Sequence, residues 1–181
     1  MKMTKALTSQ SDIDVMTACL RGVSIRLSLL WEIGVSTGLR VSDILTLKPL
    51  HLSSCTMQIT EKKTKNERTL TIKSELYAKI QAYIKGLDLE EDDYLFYSPR
   101  HGRKKPMTRQ WVHHVIRRIS QNNGLFFIGT HSMRKTYACN LYSSYGSLND
   151  VKNDLGHKKL ETTLIYLRDL LEKDIKNKKA D

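Results

Sequence analysis

Cysteine is scarce: 3 residues in 181 (Cys19, Cys55 and Cys139), an odd number without metal-ligand spacing. They read as buried, reduced thiols in a cytoplasmic protein and give no sign of a disulfide framework. Long apolar runs are missing as well, and none approaches the ~20 residues a membrane-spanning helix requires. The basic N-terminus, Met1 to Leu7, is not followed by an apolar stretch and cleavage site, so no export signal is visible. There is no internal repeat and no low-complexity segment. Carboxylates at ligand spacing are also lacking, so no metal site is expected.

A further absence is local. Between Asp93 and Asp150 lie 56 residues with no carboxylate, where the chain's average density would put about six. Nine cationic side chains fill the same stretch: Arg100, Arg103, Lys104, Lys105, Arg109, Arg117, Arg118, Arg134 and Lys135. The whole chain carries 30 Lys and Arg against 19 Asp and Glu, a formal charge of +11. A field of that sign attracts polyanions, nucleic acid first and a membrane surface second. The remaining composition, 40% hydrophobic and 27% charged, is that of a globular chain long enough for one well-buried domain.

Apolar periodicity predicts a short helix from Thr8 to Leu20, capped by Ser9 or Ser11, and a second from about Gly22 to Ser36. Thr37-Gly38 then punctuates the chain before helix resumes at Val41–Leu47. Residues 57–60 and 68–72 form two strands around the polar turn Lys62–Glu67. Ser74 caps a helix carrying Leu76, Ile80, Tyr83 and Leu87. A short strand or extended segment, Tyr94–Tyr97, precedes a basic loop from Pro99 to Pro106. Thr108 begins a helix with an apolar seam of Trp111, Val115 and Ile119. Its other side gathers Gln110, His113, His114, Arg117, Arg118 and Gln121, a face suited to lying against DNA. Three helical stretches follow, near His131–Tyr145, Leu148–Leu155 and Glu161–Leu171. The expected class is α+β, mainly helical, with a small antiparallel sheet or hairpin.

Scattered through these elements are Arg40 in Thr-Gly-Leu-Arg, Lys63 in a lysine-rich turn, His131 and Arg134 in His-Ser-Met-Arg, His157 in Leu-Gly-His, and Tyr166 in Ile-Tyr. The chemistry they suit is phosphoryl transfer. A phosphodiester in transit spreads negative charge over its equatorial oxygens, and guanidinium forks grip such oxygens without losing their protons. His131 and Arg134, at i and i+3, share one helix face. The block from Leu155 to Tyr166, with Leu-Gly-His, Thr-Thr and Ile-Tyr in order, is the most specific stretch of the chain.

In these motifs, from about Leu7 to Leu170, the sequence resembles the tyrosine recombinases of the phage integrase family. The resemblance implies a site-specific DNA recombinase that needs no cofactor, with Tyr166 as nucleophile of a 3′-phosphotyrosyl intermediate. Arg40 and Arg134 would neutralise the phosphate, His131 assist proton removal and His157 donate a hydrogen bond. Lys63 would protonate the leaving oxygen, with Lys65 as the alternative hairpin lysine. Asp43 matches an acidic position that supports neighbouring site groups. Arg103, Lys104, Lys105, Arg109, His113, Arg117 and Arg118 are the expected DNA contacts.

Also implied are duplex DNA as partner, a monomer in solution that forms a homotetramer at synapsis, and an accessory DNA-bending protein. The resemblance further implies a cytoplasmic, bacterial or phage-encoded protein of a mobile element. The chain is read as one catalytic domain, 1–181, with a core to residue 169. Residues 170–181 form a tail whose Leu170, Leu171 and Ile175, in line with Leu167, are spaced to dock on a neighbouring protomer. The DNA-clamping domain that usually precedes this one is expected to be absent, leaving either an excised fragment or a compact single-domain recombinase. Two other readings stay open: a type IB topoisomerase-like relaxing enzyme, and a non-catalytic DNA-binding regulator of the same fold.

Overall fold

Ser24, in extended conformation, separates helix α1 (Gln10–Val23) from α2 (Ile25–Thr37). The break falls a few residues later than hydrophobic periodicity suggests. The structure, a computed structural model, describes residues 4–63 and 65–177, with side chains to residue 172. Gly38 closes α2 in the left-handed region, at φ 65°, where a Cβ would run into the Tyr137 ring. The helix after it, α3, is one turn long (Val41–Ile44) and shorter than expected.

Strands β1 (Leu52–Ser53), β2 (Thr56–Thr60) and β3 (Glu67–Thr71) form an antiparallel sheet in sequential order. Met57 and Ile59 of β2 point into the core while the residues between them face outward, the alternation a half-buried strand requires. The Thr60–Glu67 pair closes the turn between β2 and β3. Helix α4 (Ser74–Gly86) follows, with Lys73 rather than Ser74 at its N-cap.

Two local expectations are corrected. The basic loop is partly strand: β5 (Gly102–Pro106) pairs with β4 (Tyr97–Ser98). Four of its five residues are exposed, so no alternation marked it in the sequence. In α5 (Arg109–Asn122), capped by the Thr108 hydroxyl, the buried seam is Val112, Ile116 and Ser120. That seam lies one position beyond the expected one, and Trp111 is 47% exposed. Val115 and Ile119 of the expected seam are partly buried and still pack against the core, so the buried stripe is wider than expected and Trp111 is the member left outside it.

Helices α6 (Thr130–Tyr145), α7 (Leu148–Asp154) and α8 (Leu160–Asn177) complete the chain. The larger hydrophobic core is built from α1, α2, the three-stranded sheet, α4 and α5; a smaller one lies among α6, α7 and α8. Helix α6 joins them, with Met133 packed so closely on Gly34 of α2 that an added Cβ would lie 2.5 Å from its sulfur. Of the expected docking leucines, Leu167 is fully buried and Leu170 and Leu171 pack on the smaller core of their own chain. The Ile175 side chain lies outside the described residues. All three cysteines are free, but only Cys139 is buried; Cys19 and Cys55 are partly exposed. No helix among the described residues is long and apolar enough to cross a membrane.

The segment Thr4–Leu7 is strapped across α6 and α8. Lys135 Nζ donates to the Thr4 carbonyl (2.6 Å), the Ala6 amide donates to Asp169 Oδ2 (2.9 Å), and the Leu7 amide donates to Thr136 Oγ1 (2.8 Å).

Candidate active site

Arg134 is the buried centre of the cleft. It projects from α6 with 2% of its surface exposed, and Nη1 donates to the Gly38 carbonyl (2.6 Å) while Nη2 donates to the Leu155 carbonyl. A helix C-terminus and an α7 exit thus supply backbone acceptors that hold the guanidinium in one orientation. Burial lowers the Arg134 pKa, as does the like charge of Arg40; the Tyr166 phenol and the Glu61 carboxylate act the other way. Even lowered, a guanidinium keeps its proton.

Arg40 caps the N-terminus of α3, immediately past the left-handed turn at Gly38. Its Nη1 reaches Glu61 Oε2 at 2.9 Å and lies 3.9 Å from Asp43 Oδ2. Asp43 is fully buried, and its other oxygen accepts from the Lys62 amide at 3.0 Å. The expected supporting role of Asp43 therefore has a geometric form: it ties α3 to the start of the β2–β3 turn.

His157 and Tyr166 meet edge to face, their ring centroids 4.8 Å apart. His157 Nδ1 lies 3.0 Å from the Thr163 hydroxyl. Burial, then the charges of Arg134 and Arg40, push its pKa down to about 4. The ring is thus neutral at physiological pH, held so first by its burial and then by its cationic neighbours. Tyr166 is half-buried on α8, with Lys135 Nζ 6.0 Å from its ring centroid. His131, exposed in the first turn of α6, has its pKa lowered by desolvation and by Arg109, Arg134, His113 and Lys135 in turn.

Arg40, Arg134, His157 and Tyr166 therefore share one cleft, with His131 at its edge. Lys63 is not drawn in. It stands exposed in the β2–β3 turn, with no hydrogen bond or ion pair among the described residues. Lys65, the alternative, takes φ 61° in the same turn, and its amide donates to the Glu61 carbonyl.

Sequence reasoning missed Glu61. Only 4% exposed, it bridges Arg40 and Arg68, the latter through Oε1 at 3.3 Å. Arg68 in turn lies 3.7 Å from Asp154 Oδ1 at the end of α7. The sole prior hint was a carboxylate beside three lysines in one turn.

The expected DNA contacts divide. Lys104 pairs with Asp92, with Asp93 at 2.9 Å and with Glu90 at 3.1 Å. Arg103 donates to the Leu87 and Asp88 carbonyls and lies 3.7 Å from Asp93. Acidic residues absent from that stretch of sequence are thus supplied by the preceding turn. His113 lies against Gly129, and its Nδ1 is 3.3 Å from the Thr130 hydroxyl at the start of α6. Lys105, Arg109, Arg117 and Arg118 remain exposed, without ion pairs among the described residues.

A phenol set against one guanidinium and edge to face with an imidazole that a second guanidinium also approaches, carried on a mainly helical fold with a small antiparallel sheet, defines a protein of the tyrosine recombinase class. The model of the phage integrase family matches residues 6–173, nearly the whole chain, and the chain belongs to that family. It is 30% identical over 168 residues to the probable integrase/recombinase YoeC of Bacillus subtilis (strain 168), covering 92% of this chain and 91% of that protein. It is 31% identical over 188 residues to transposase A from transposon Tn554 of Staphylococcus aureus, with 97% of this chain covered but only 52% of the transposase. The fold is similar to that of XerH site-specific recombinase bound to palindromic difH substrate in a post-cleavage complex. There the TM-score is 0.73 at 24% identity, over 92% of this chain and 50% of the other.

Proposed function

We propose that this chain cleaves and rejoins duplex DNA at specific sites, with Tyr166 as the nucleophile. The observation that carries this is the convergence of Tyr166, His157, Arg134 and Arg40 on one cleft. In the step, Tyr166 Oη attacks the scissile phosphorus as the bond from phosphorus to the 5′ oxygen breaks. A 3′-phosphotyrosyl ester and a free 5′ hydroxyl result. The ester conserves the bond energy, so the rejoining step needs no external energy source.

Arg134 and Arg40 neutralise the non-bridging oxygens, where preorganised charge is most effective in a partly dry site. His157 is neutral there. With Nδ1 accepting from the Thr163 hydroxyl, Nε2 keeps its hydrogen and donates to the phosphate. His131 takes the phenolic proton, and its lowered pKa keeps it in the free-base form that the role requires. Lys63 delivers a proton to the departing 5′ oxygen, which requires its turn to be held over the cleft. Asp43 holds that turn, through the Lys62 amide, beside Arg40.

Lys105, Arg109, Arg117 and Arg118 form the exposed positive surface for the flanking phosphates, with His113 beside them. Arg103 and Lys104 are weaker candidates because their charge is already met. The XerH recombinase of similar fold is bound to a palindromic difH substrate, which supports duplex DNA as the partner. Assembly on DNA as a homotetramer from free monomers, aided by a DNA-bending protein in the cytoplasm, completes the proposal. A topoisomerase-like enzyme would relax plasmids without site preference, and a mere regulator would form no adduct.

The test is covalent capture on a library of nicked genomic fragments, followed by sequencing of the attached ends. The wild-type chain should yield a denaturation-resistant adduct at a defined sequence. Tyr166→Phe should bind DNA with unchanged affinity and give no adduct; an adduct that persists rejects Tyr166.

A further inference from the structure

We infer that Glu61, Arg68 and Asp154 are positioning residues for the leaving-group step, acting by setting where the β2–β3 turn, and hence Lys63, stands over the cleft. The inference rests on the function proposed above and extends it to residues with no part in that chemistry.

Four side chains run in series around the rear of the site. Arg40 Nη1 meets Glu61 Oε2 at 2.9 Å, Glu61 Oε1 meets Arg68 Nη1 at 3.3 Å, and Arg68 Nη2 meets Asp154 Oδ1 at 3.7 Å. The series links three elements: the start of α3, the hairpin of β2 and β3, and the last residue of α7. Its ends are attached to the catalytic set. Arg40 belongs to it, and Asp154 immediately precedes Leu155, whose carbonyl holds Arg134, and lies three residues before His157.

Asp154 is also joined to the interior. Burial and the nearby Asp154 carboxylate raise the Tyr137 pKa, and the Tyr137 ring packs on Gly38, whose carbonyl also holds Arg134. A cleft of about 660 Å³ lies between turn and α7, lined by Glu61, Lys65, Arg68, Asn153, Asp154 and Gly156. Apolar packing does not fill that space, so across it the ion pairs fix the distance between hairpin and α7.

Burying a carboxylate such as Glu61 is costly unless cations compensate, and Arg40 and Arg68 do so here. Removing one partner leaves the other's charge uncompensated, and the hairpin that carries Glu61 and Arg68 is the element that would shift to relieve it. Lys63 is the group most sensitive to that movement. His131, Arg134 and Tyr166 sit on helices, Arg40 stands at a helix N-cap, and His157 is held in the α7–α8 loop against Tyr166 and Thr163, whereas Lys63 stands exposed on a turn, with no hydrogen bond or ion pair among the described residues. Its position is therefore that of the turn, and the turn is anchored by Glu61, Lys62 and Arg68.

The experiment is single-turnover cleavage of the duplex recovered by covalent capture, in two versions: oxygen or sulfur at the bridging 5′ position. A thiolate leaves without a proton, so sulfur removes the need for Lys63 and leaves the attack by Tyr166 intact. Lys63→Ala is the control: fast cleavage of the sulfur version and slow cleavage of the oxygen version establish the proton donor independently. Failure of that control removes the role of Lys63 and, with it, the inference; absence of a wild-type adduct removes the function itself.

With the control in place, Arg68→Met should slow the oxygen substrate by about 10- to 100-fold and leave the sulfur substrate within about threefold of wild type. Arg68→Lys, which restores a cation, should recover part of the loss on oxygen. Asp154→Asn, a milder change at a more exposed residue, should show the same selectivity, about 3- to 10-fold. Equal slowing of both substrates, or no slowing of either, overturns the inference.

Discussion

At the scale of single residues, the cleft is an assembly of cations that discourage one another's protonation. His157 shows this most clearly, with burial and two arginines pushing it down to about 4 from an unfolded value near 6.5. The unfolded chain therefore binds a proton between those values that the folded chain refuses. The stability contributed by neutral His157 is complete above pH 6.5 and is lost as pH falls toward 4. Urea titrations at pH 7.5 and 5 should show a smaller pH-dependent loss in His157→Gln than in the wild type. NMR of the free protein should show no His157 titration above about pH 5.5. The motif residues were legible because their chemistry is carried by near neighbours: Gly38 before Arg40, Ser132 and Met133 between His131 and Arg134, Gly156 before His157. Glu61, Arg68 and Asp154 were not, since each is defined by a partner distant in sequence and none bears a motif.

At the scale of elements, helix ends do more positioning than helix middles. Gly38 ends α2 at positive φ, presses on Tyr137 and offers its carbonyl to Arg134. Gly38→Ala should therefore cost roughly 2–4 kcal/mol, from left-handed strain and overpacking together. Denaturant unfolding would show it as a lower midpoint with an unchanged slope, and cleavage should fall with it. Alternation in β2 and the Thr108 cap of α5 were readable because a single strand or helix contains the whole signal. The β4–β5 hairpin was hidden, because Gly102–Pro106 is exposed and its pairing is the only sign of its state. The displaced seam of α5 has a similar cause: the sequence offers adjacent apolar rows, and only the neighbouring core decides that Val112 and Ile116 are buried more deeply than Val115 and Ile119.

At the scale of the whole molecule, a charge of +11 makes electrostatics the first contribution to DNA affinity. Binding should weaken linearly on a log–log plot as salt rises. Lys105→Ala and Arg117→Ala should each reduce the magnitude of that slope by about 1, and Lys104→Ala should change it less, because Asp92, Asp93 and Glu90 already surround that ammonium. Cleavage should persist in excess chelator, since two guanidinium groups supply the charge that a divalent ion provides elsewhere. The strap at Thr4–Leu7 carries a different message. Its amide at Ala6 is fastened to Asp169, three residues beyond Tyr166 on the same helix, and its carbonyl at Thr4 to Lys135, which lies against the Tyr166 ring. Any load applied at the amino end, by a fused protein for instance, reaches α8 within one helical turn of the Tyr166 phenol.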